Sequence, residues 1–209
     1  MAELQDPYEI TTLEGLLSHY GAVNPNSLKK ETNRLTAQYR AWIERAPFFA
    51  FASIGAGGLD CSPRGDRNGD LFTILDDRTI AIPDRRGNNR LDTLRNIVED
   101  PRVALLFLAP GINECVRING TARITTDPAL IDRFDMDGKK PATVIVVSIA
   151  AVYFQCARSL LRSGLWNPDS FLSKGDVPTA GQMTKGALPT FDADTYDRAL
   201  PERQAKSLY

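Results

Sequence analysis

The chain of 209 residues is long enough to bury a sizeable core in one domain. Its apolar content of 43% and charged content of 24% are typical of a globular protein and exclude a disordered chain. The formal net charge of −1 excludes a nucleic-acid-binding protein that relies on overall basicity, so a bound anion has to be met by a local cluster of donors.

Other features narrow the class of protein further. The longest apolar run, residues 142–151, is too short to cross a bilayer as a helix and predicts a buried strand. The acidic N-terminus lacks the pattern of a signal peptide. Three widely spaced cysteines (Cys61, Cys115 and Cys156) form no CxxC pair, and His19 is the single histidine. We therefore expect a reduced, cytoplasmic protein with no membrane partner, no nucleic-acid partner and no metal site.

Helices are predicted before the first strand. Residues 11–20 predict a short helix, and Ser27 predicts the N-cap of a second helix that ends near Pro47. Four apolar residues recur on one face of this second helix: Leu35, Tyr39, Trp42 and Ile43. We expect residues 1–47 to form N-terminal helices that pack on the outside of a sheet.

Short apolar or alternating runs follow, separated by Gly, Asp and Asn. The runs are FFAFASIG, LDCSPRG, LFTILDD, TIAIP, RVALLFLAP, CVRINGTARITT and ATVIVVSIAAVYF. A helix at residues 91–99 interrupts them midway, and a smaller helix at 128–134 precedes the last run. Over residues 48–166 this spacing predicts a mainly β fold with peripheral helices (α+β), closed into a small antiparallel barrel, with a β-sandwich as the alternative.

The last part of the chain, residues 167–209, is predicted to form a C-terminal arm with a short helix. The segment QCARSLLRSGLW before it predicts a helix that ends at Trp166. Residues 167–191 are rich in Pro, Gly, Ser and Thr, which favours an arm ordered by its contacts or a mobile loop. Residues 194–209 predict a polar helix.

The stretch IPDRRGNNRLDTLRNI, residues 82–97, departs most from ordinary globular sequence because it holds four arginines and three asparagines. A strand that leads into a helix N-terminus leaves backbone N–H groups free, which favours an anion site. Arginine adds fork-shaped donors suited to phosphate, and asparagine beside Gly87 tolerates a left-handed turn. The alternative is a solvated turn whose arginines pair with Asp66, Asp84 and Asp92, and the cluster alone leaves both interpretations open.

A second polar patch, CSPRGDRNGD at residues 61–70, places Ser62, Arg64 and Asp66 at the end of a strand. Its other interpretation is a hairpin turn with surface charge, above all at residues 67–70. The order SPRGD, IPDRRGNNRLDTLRNI and DPRVALLFL resembles the flavin-binding proteins of the pyridoxamine 5'-phosphate oxidase-like superfamily, over about residues 48–166. Within it, the chain is most similar to a bacterial branch of FMN-dependent enzymes whose substrates are unassigned.

This resemblance implies a split antiparallel β-barrel that binds FMN at a homodimer interface. It implies an FMN-dependent oxidoreductase, in which the flavin mediates hydride transfer on a small-molecule substrate. The alternatives are a non-enzymatic flavin carrier or sensor, a deazaflavin-dependent relative, and a haem-binding relative. A haem needs an iron ligand, and His19 in a predicted N-terminal helix makes a poor candidate.

The resemblance also implies which residues contact the flavin. Ser62 and Arg64 would face the ring and the ribityl chain, and Arg64 could stabilise the reduced, anionic ring. Ile82 and Pro83 would offer backbone and shape to the ring. The complete set implied for cofactor binding is Ser62, Arg64, Ile82, Pro83, Asn88, Asn89, Arg90, Thr93, Arg117 and Trp166.

Within that set, Asn88, Asn89 and Arg90 would bind the phosphate, with Thr93 as a hydroxyl donor. Arg117 would contact the ring, with a salt bridge as an equal alternative. The segment before and including Trp166 would reach the flavin of the partner subunit, with burial in the core as the alternative. Four further arginines are left open between ligand contact and surface: Arg85, Arg86, Arg158 and Arg162.

Two departures from the family pattern limit the expected activity. Gln155 stands where we expect a histidine in relatives, which weakens an acid–base or haem-ligand role there. The C-terminus, LPERQAKSLY, lacks the arginine-rich motif that holds the substrate phosphate in pyridoxamine-phosphate oxidases. FMN binding is therefore implied better than that particular oxidase activity.

Overall fold

The computed structural model describes residues 6–67 and 69–207. Residues 1–5, 68, 208 and 209 lie outside the described residues, and so do the parts of the predicted N-terminal segment, hairpin turn and C-terminal helix that fall on them. The chain divides into two compact units, Met1–Glu31 and Thr32–Tyr209. The domain boundaries expected after residues 47 and 166 stay predictions.

The first unit contains two short helices, each begun by a side-chain cap. In α1 (Leu13–Ser18) the Thr12 hydroxyl accepts the N–H of the third helical residue, and in α2 (Pro25–Lys29) the Asn24 side chain accepts that of the second. Neither helix contains a buried residue. The prediction of a helix within residues 11–20 is confirmed by α1.

The long second helix predicted from Ser27 to Pro47 is wrong, because tertiary hydrogen bonds interrupt it. The N–H of Thr32 donates to the carbonyl of Val152 at 3.0 Å, and the N–H of Val152 donates back at 2.7 Å. The Thr36 hydroxyl then caps a separate helix, α3 (Ala37–Ile43), whose buried residue is Ile43. Backbone pairing with a strand has overridden the helical spacing of the apolar residues.

Seven strands form one sheet: β1 (Phe48–Gly55), β2 (Gly58–Gly65), β3 (Thr73–Asp76), β4 (Thr79–Pro83), β5 (Arg102–Leu108), β6 (Cys115–Thr125) and β7 (Val144–Gln155). All pairs are antiparallel, in the order β2-β1-β5-β6-β7-β4-β3. The predicted α+β class with a split antiparallel barrel is confirmed. The closed barrel expected from strand spacing is wrong, since β2 and β3, at the two ends of the order, do not pair within the described residues.

The remaining helices are α4 (Asp92–Glu99), α5 (Pro128–Arg133), α6 (Arg158–Ser163), a short 3-10 helix (Pro168–Ser170), α7 (Ala180–Ala187) and α8 (Ala193–Ser207). The sequence analysis missed α7, although Thr179 and Gln182 form a capping box at its start. Asp197 of α8 accepts the N–H of Gly181 at 2.8 Å and joins the two helices. No helix of the described residues is long and apolar enough to cross a bilayer.

The hydrophobic core is rich in phenylalanine. The rings of Phe49 and Phe107 lie 4.8 Å apart between centroids, and both side chains are fully buried. Burying one such side chain contributes about 1.5–3 kcal/mol. Strand β4 is buried on both faces, because Ile80 and Ile82 join this core while Ala81 packs against Phe134 below α5.

Helix α4 is held against β1 at one close approach. A Cβ on Gly55 would lie 2.3 Å from the side-chain oxygen of Asn96 and 2.9 Å from that of Glu99, so a larger residue would have to displace both side chains. The Asn96 amide donates to Ser53 Oγ at 3.0 Å, and Glu99 accepts the N–H of Ala56 at 2.6 Å. These contacts at the C-terminal half of α4 fix the direction in which its N-terminus points.

Gly120 sits at the register shift between β6 and β7, where a side chain has no room. A Cβ there would lie 2.1 Å from the carbonyl oxygen of Ser148. We expect Gly120→Ala to lower the free energy of unfolding by about 1–3 kcal/mol, the usual cost of overpacking. Urea unfolding measures this, with Gly57→Ala as the control because a Cβ on Gly57 meets nothing within 4 Å. An equal effect of both substitutions would contradict the prediction.

Asp100, which follows α4, has a lowered pKa. Hydrogen bonds from the Arg102 side chain, and next from the Arg102 backbone N–H, lower it from 3.8 to about 2. Its ionised form therefore favours folding above pH about 4, and this contribution disappears as the pH falls through 2. We expect Arg102→Ala to raise the pKa of Asp100 part of the way to 3.8, because the backbone donor remains. An NMR titration of the Asp100 carboxyl carbon measures the change, and an unaltered midpoint would contradict it.

Candidate functional site

A cavity of about 400 Å³ lies between β2, the loop that follows β4, and the first turn of α4. We call it the α4 cavity. Six of the ten predicted cofactor residues line it: Ser62, Arg64, Asn88, Asn89, Arg90 and Thr93. The structure thus brings together the two polar stretches that are separated in the sequence by strands β3 and β4.

The β2 wall of the cavity is formed by Ser62, Pro63 and Arg64, near the end of the strand. Asp60, Ser62 and Arg64 are partly buried, whereas Cys61 and the other intervening residues are exposed. One oxygen of Asp60 accepts from Ser62 Oγ at 3.1 Å and from Thr93 Oγ1 at 3.3 Å. The two predicted hydroxyl donors therefore join β2 to α4 through a carboxylate. Sequence reasoning missed Asp60, although the two-residue period of the strand places it on the same face.

Two ion pairs cross between the end of β2 and the loop after β4. Arg64 Nη1 lies 3.2 Å from Asp84 Oδ1, and Arg85 Nε lies 3.1 Å from Asp66 Oδ2. Arg85 Nη1 also donates to the carbonyl of Phe134 at 2.6 Å. Arg85, left open between ligand and surface in the sequence analysis, is thus engaged mainly with the protein itself.

The third aspartate named in the alternative interpretation, Asp92, pairs with Arg90. Each of the three aspartates pairs with an arginine, but the partner of Asp84 is Arg64 of β2 and not an arginine of the loop, and the cavity stays open beside these pairs. Its lining holds three arginines and two aspartates, and the remaining arginine, Arg85, pairs with Asp66 just outside the lining, so each arginine has a carboxylate partner. The buried Nε of Arg64 has no hydrogen-bond partner within the described residues. The Arg90 side chain is 79% exposed, so it can leave Asp92 at little cost.

The loop before α4 has an unusual backbone. Asn88 Oδ1 accepts the N–H of Arg90 at 3.1 Å, and Asn89 and Leu91 have φ angles of 58° and 61°. A left-handed conformation is tolerated by asparagine but is rare for a bulky residue such as leucine. Leu91 is the N-cap of α4 and makes no side-chain capping bond. Within the described residues, the N-cap side chain therefore leaves the backbone N–H groups of the first turn of α4 without a cap.

A smaller hollow of about 200 Å³ adjoins the α4 cavity and shares Arg64 and Arg85 with it. Ile82 and Pro83 line this hollow together with Arg86. The Ile82 side chain is part of the hydrophobic core. The end of β4 therefore presents mainly backbone and the proline ring to the hollow.

Arg117 and Trp166, the other two predicted cofactor residues, do not line the α4 cavity. Arg117 donates to the Asn119 side chain at 3.1 Å and lies 5.9 Å from the ring centroid of Tyr153. Trp166 Nε1 donates to the carbonyl of Ile112 at 2.8 Å. If these two residues contact a flavin, it is not one bound in the α4 cavity of the same chain. Arg158 and Arg162 are exposed on α6.

No cluster of metal-ligand type occurs among the described residues, where no group of three or more His, Cys, Asp or Glu side chains converges. His19 is the C-cap residue of α1, in the first unit. Cys115 is buried, and burial, followed by the charge of Glu114 and the neighbouring Cys156, raises the pKa of its thiol. The thiol therefore stays protonated at neutral pH.

Comparison with known proteins gives a match to one family and to several solved structures. No curated protein sequence matches the chain. HupZ of Group A Streptococcus is 18% identical, with a TM-score of 0.46 over 56% of this chain and 91% of that one. General Stress Protein 26 from Bacillus anthracis is 14% identical, with a TM-score of 0.42 over 55% and 88% of the two chains. The FAD binding protein from Mycobacterium smegmatis is 12% identical, with a TM-score of 0.41 over 59% and 97%.

The family match covers the strands and the loop that build the α4 cavity. The sequence profile of the pyridoxamine 5'-phosphate oxidase family matches residues 35–156. This range runs from the residue before the cap of α3 to the residue after β7, and it includes every β-strand. Since it spans more than half of the chain, the protein belongs to the pyridoxamine 5'-phosphate oxidase family.

Proposed function

We propose that this chain is an FMN-dependent oxidoreductase that acts on a small-molecule substrate and holds the flavin phosphate in the α4 cavity. One arrangement carries the proposal: an uncapped helix N-terminus, a left-handed loop and the unpartnered Nε of Arg64 all belong to residues that line a single cavity. Uncapped N–H groups and arginine donors are what a phosphate requires.

The interaction energies indicate that side-chain donors, rather than the helix dipole, would contribute most to phosphate binding. A hydrogen bond to a charged group contributes about 1.5–3 kcal/mol, whereas the helix dipole contributes about 0.3–1 kcal/mol. Arg90 is exposed enough to turn from Asp92 to a ligand. The left-handed conformation of Leu91 costs about 1–2 kcal/mol in an L-residue, and such strain is typically retained at functional sites.

A flavin fits better than an isolated phosphate because the adjoining hollow offers an apolar edge. Ile82 and Pro83 line that hollow, and Arg64 lines both it and the α4 cavity. The arginine donors of the α4 cavity and the N–H groups of the first turn of α4 would serve one terminal phosphate, which supports FMN. A bound flavin would supply hydride transfer. Arg64, oriented by Asp84, would place a positive charge where the ring gains negative charge.

We further propose that two copies of the chain share the flavin site. Large apolar side chains are exposed near Trp166, on α6 and the neighbouring segments: Ile112, Phe154, Leu161, Leu165, Phe171 and Leu172. Exposed apolar patches mark interaction surfaces. A second copy covering this surface would bring Trp166 and Arg117 to the flavin, which they do not reach within their own chain's α4 cavity.

The first test compares FMN with riboflavin, which lacks the phosphate. We expect purified protein to bind FMN, and Arg90→Ala to weaken FMN binding about 10- to 100-fold, the equivalent of about 1.5–3 kcal/mol. Riboflavin binding should change by less than about twofold, because no phosphate contact is lost. Quenching of flavin fluorescence measures both affinities.

Arg102→Ala is the matched control, because Arg102 is 70% exposed and also pairs with an aspartate two residues away. It should leave FMN binding unchanged. An Arg90→Ala protein that still binds FMN as tightly as the unaltered chain would contradict the phosphate assignment. If FMN binds but neither NADH, NADPH nor a broad panel of donors reduces it, the carrier or sensor becomes the better proposal.

The second test separates the structural role of Arg64 from its role toward the ligand. Asp84→Asn should lower the free energy of unfolding by about 1–3 kcal/mol, less than the loss for a fully buried pair because both side chains are partly exposed. In the double variant Arg64→Gln, Asp84→Asn most of that stability should return, since no charge is left without a partner. FMN binding by the double variant should remain weaker than that of the unaltered chain, because the Arg64 donor is lost. A double variant that binds FMN normally would limit Arg64 to a structural role.

A further inference from the structure

We propose that a second cavity, beside the first, binds an anionic group of the small molecule that reacts with the flavin. This basic cavity has a volume of about 320 Å³. Five cationic side chains and one methionine line it: Arg85, Arg86, Lys139, Lys140, Lys206 and Met136. The inference that the anion belongs to the flavin's reaction partner rests on the proposed function, whereas the anion site itself rests on the cavity alone.

The basic cavity is strongly cationic, although the chain as a whole is nearly neutral. The chain carries 25 basic and 26 acidic residues, yet no acidic residue among those that the structure describes lines this cavity. Arg85, Lys140 and Lys206 do form ion pairs, but their carboxylate partners lie outside the lining. Arg86 makes no hydrogen bond or ion pair with any residue that the structure describes. A cleft whose walls carry one sign of charge concentrates ions of the opposite sign.

The walls of the basic cavity are held in place by backbone bonds. Met136 and Lys139 close a two-residue turn, with N–H to carbonyl distances of 3.2 and 3.0 Å in the two directions. Asp137 and Gly138 inside the turn both have positive φ, as the tightest hairpins require. The bond from Arg85 to the carbonyl of Phe134 ties the loop after β4 to this hairpin. The hairpin and the loop after β4, which carry Lys139, Arg85 and Arg86, are therefore held in defined positions.

The basic cavity lies next to the proposed flavin site. It shares Arg85 and Arg86 with the hollow lined by Ile82 and Pro83, and that hollow in turn adjoins the α4 cavity. One FMN phosphate is accounted for at the α4 cavity. The cations of the basic cavity would then bind a second anion, which is a phosphate or carboxylate on the substrate or electron donor. Its charge would hold that molecule beside the flavin ring.

Methionine methyl NMR provides a local probe, because the chain has three methionines and only Met136 lines the basic cavity. The probe ligand is inorganic pyrophosphate, added at constant ionic strength. We expect a saturable shift of the Met136 methyl signal, while the signal of exposed Met183 on α7 stays in place. The double variant Arg86→Gln, Lys139→Gln should weaken this binding about tenfold or more, as expected for lost charge-assisted hydrogen bonds.

Lys174→Gln is the control, an exposed lysine that is not part of this cavity's lining. It should leave the pyrophosphate affinity unchanged. A Met136 signal that shifts with neither pyrophosphate nor citrate, or that shifts equally in the double variant, would overturn the anion site. A titration with citrate then tells which group is preferred, since saturation by pyrophosphate alone indicates phosphate, and saturation by citrate indicates carboxylate.

An FMN arm separates this inference from the proposed function. Protein saturated with FMN should still show the pyrophosphate shift at Met136, because the two anions occupy different cavities. Displacement of pyrophosphate by FMN would mean that the basic cavity holds the flavin's own phosphate, and would overturn the inference. A protein that binds pyrophosphate at Met136 but takes up no flavin would refute the proposed function and leave the anion site standing.

Discussion

The site depends on two reciprocal ion pairs, Arg64 with Asp84 and Arg85 with Asp66, that join the end of β2 to the loop after β4. Strand β2 and the β3–β4 hairpin lie at opposite ends of the strand order, and no ladder of backbone hydrogen bonds joins β2 to β3 there. The Asp66 side chain is only 3% exposed, which a carboxylate tolerates because Arg85 compensates its charge. The two ion pairs thus join the two ends of the open sheet, and the cavities lie beside these pairs.

The same ion pairs also determine which charges the cavity walls present to a ligand. Asp84, Asp92 and Asp66 each pair with one of the three arginines of the α4 cavity, so that the cavity offers guanidinium donors to the proposed phosphate without a large uncompensated charge. Asp66 holds Arg85 in the wall that separates this cavity from the basic one. Arginine suits both tasks, because one edge of its guanidinium can pair with a carboxylate while another donor remains for a ligand. Arg64 shows this division most clearly, with Nη1 engaged and Nε without a partner.

The strands and the helix that depend on short-range sequence patterns were predicted correctly. The two-residue period predicted β1 and β2, and the strand–loop–helix pattern predicted α4 to within one residue, because Leu91 is its N-cap. The helix expected from Ser27 failed since Thr32 pairs with Val152, a partner 120 positions away that no periodicity reveals. The sequence analysis named the three aspartates as partners of the arginines but could not say which pairs form. That assignment depends on how the ends of β2 and β4 meet, and so does the basic cavity, whose cations come from three distant segments.

Arg85 lines both the α4 cavity and the basic cavity, so an anion bound in one cavity acts on cations of the other. A ligand that binds the folded state and not the unfolded one stabilises the fold by an amount that grows with its concentration relative to its dissociation constant. Because each bound anion lowers the field felt by its neighbour's cations, the first anion weakens binding of the second through charge, while ordering of the shared Arg85 wall strengthens it. The sign of the coupling between the cavities therefore depends on whether Arg85 is already fixed, and its bonds to Asp66 and to the carbonyl of Phe134 indicate that it is. Weak negative coupling follows from this geometry, which would let a reaction partner leave a flavin-loaded site readily.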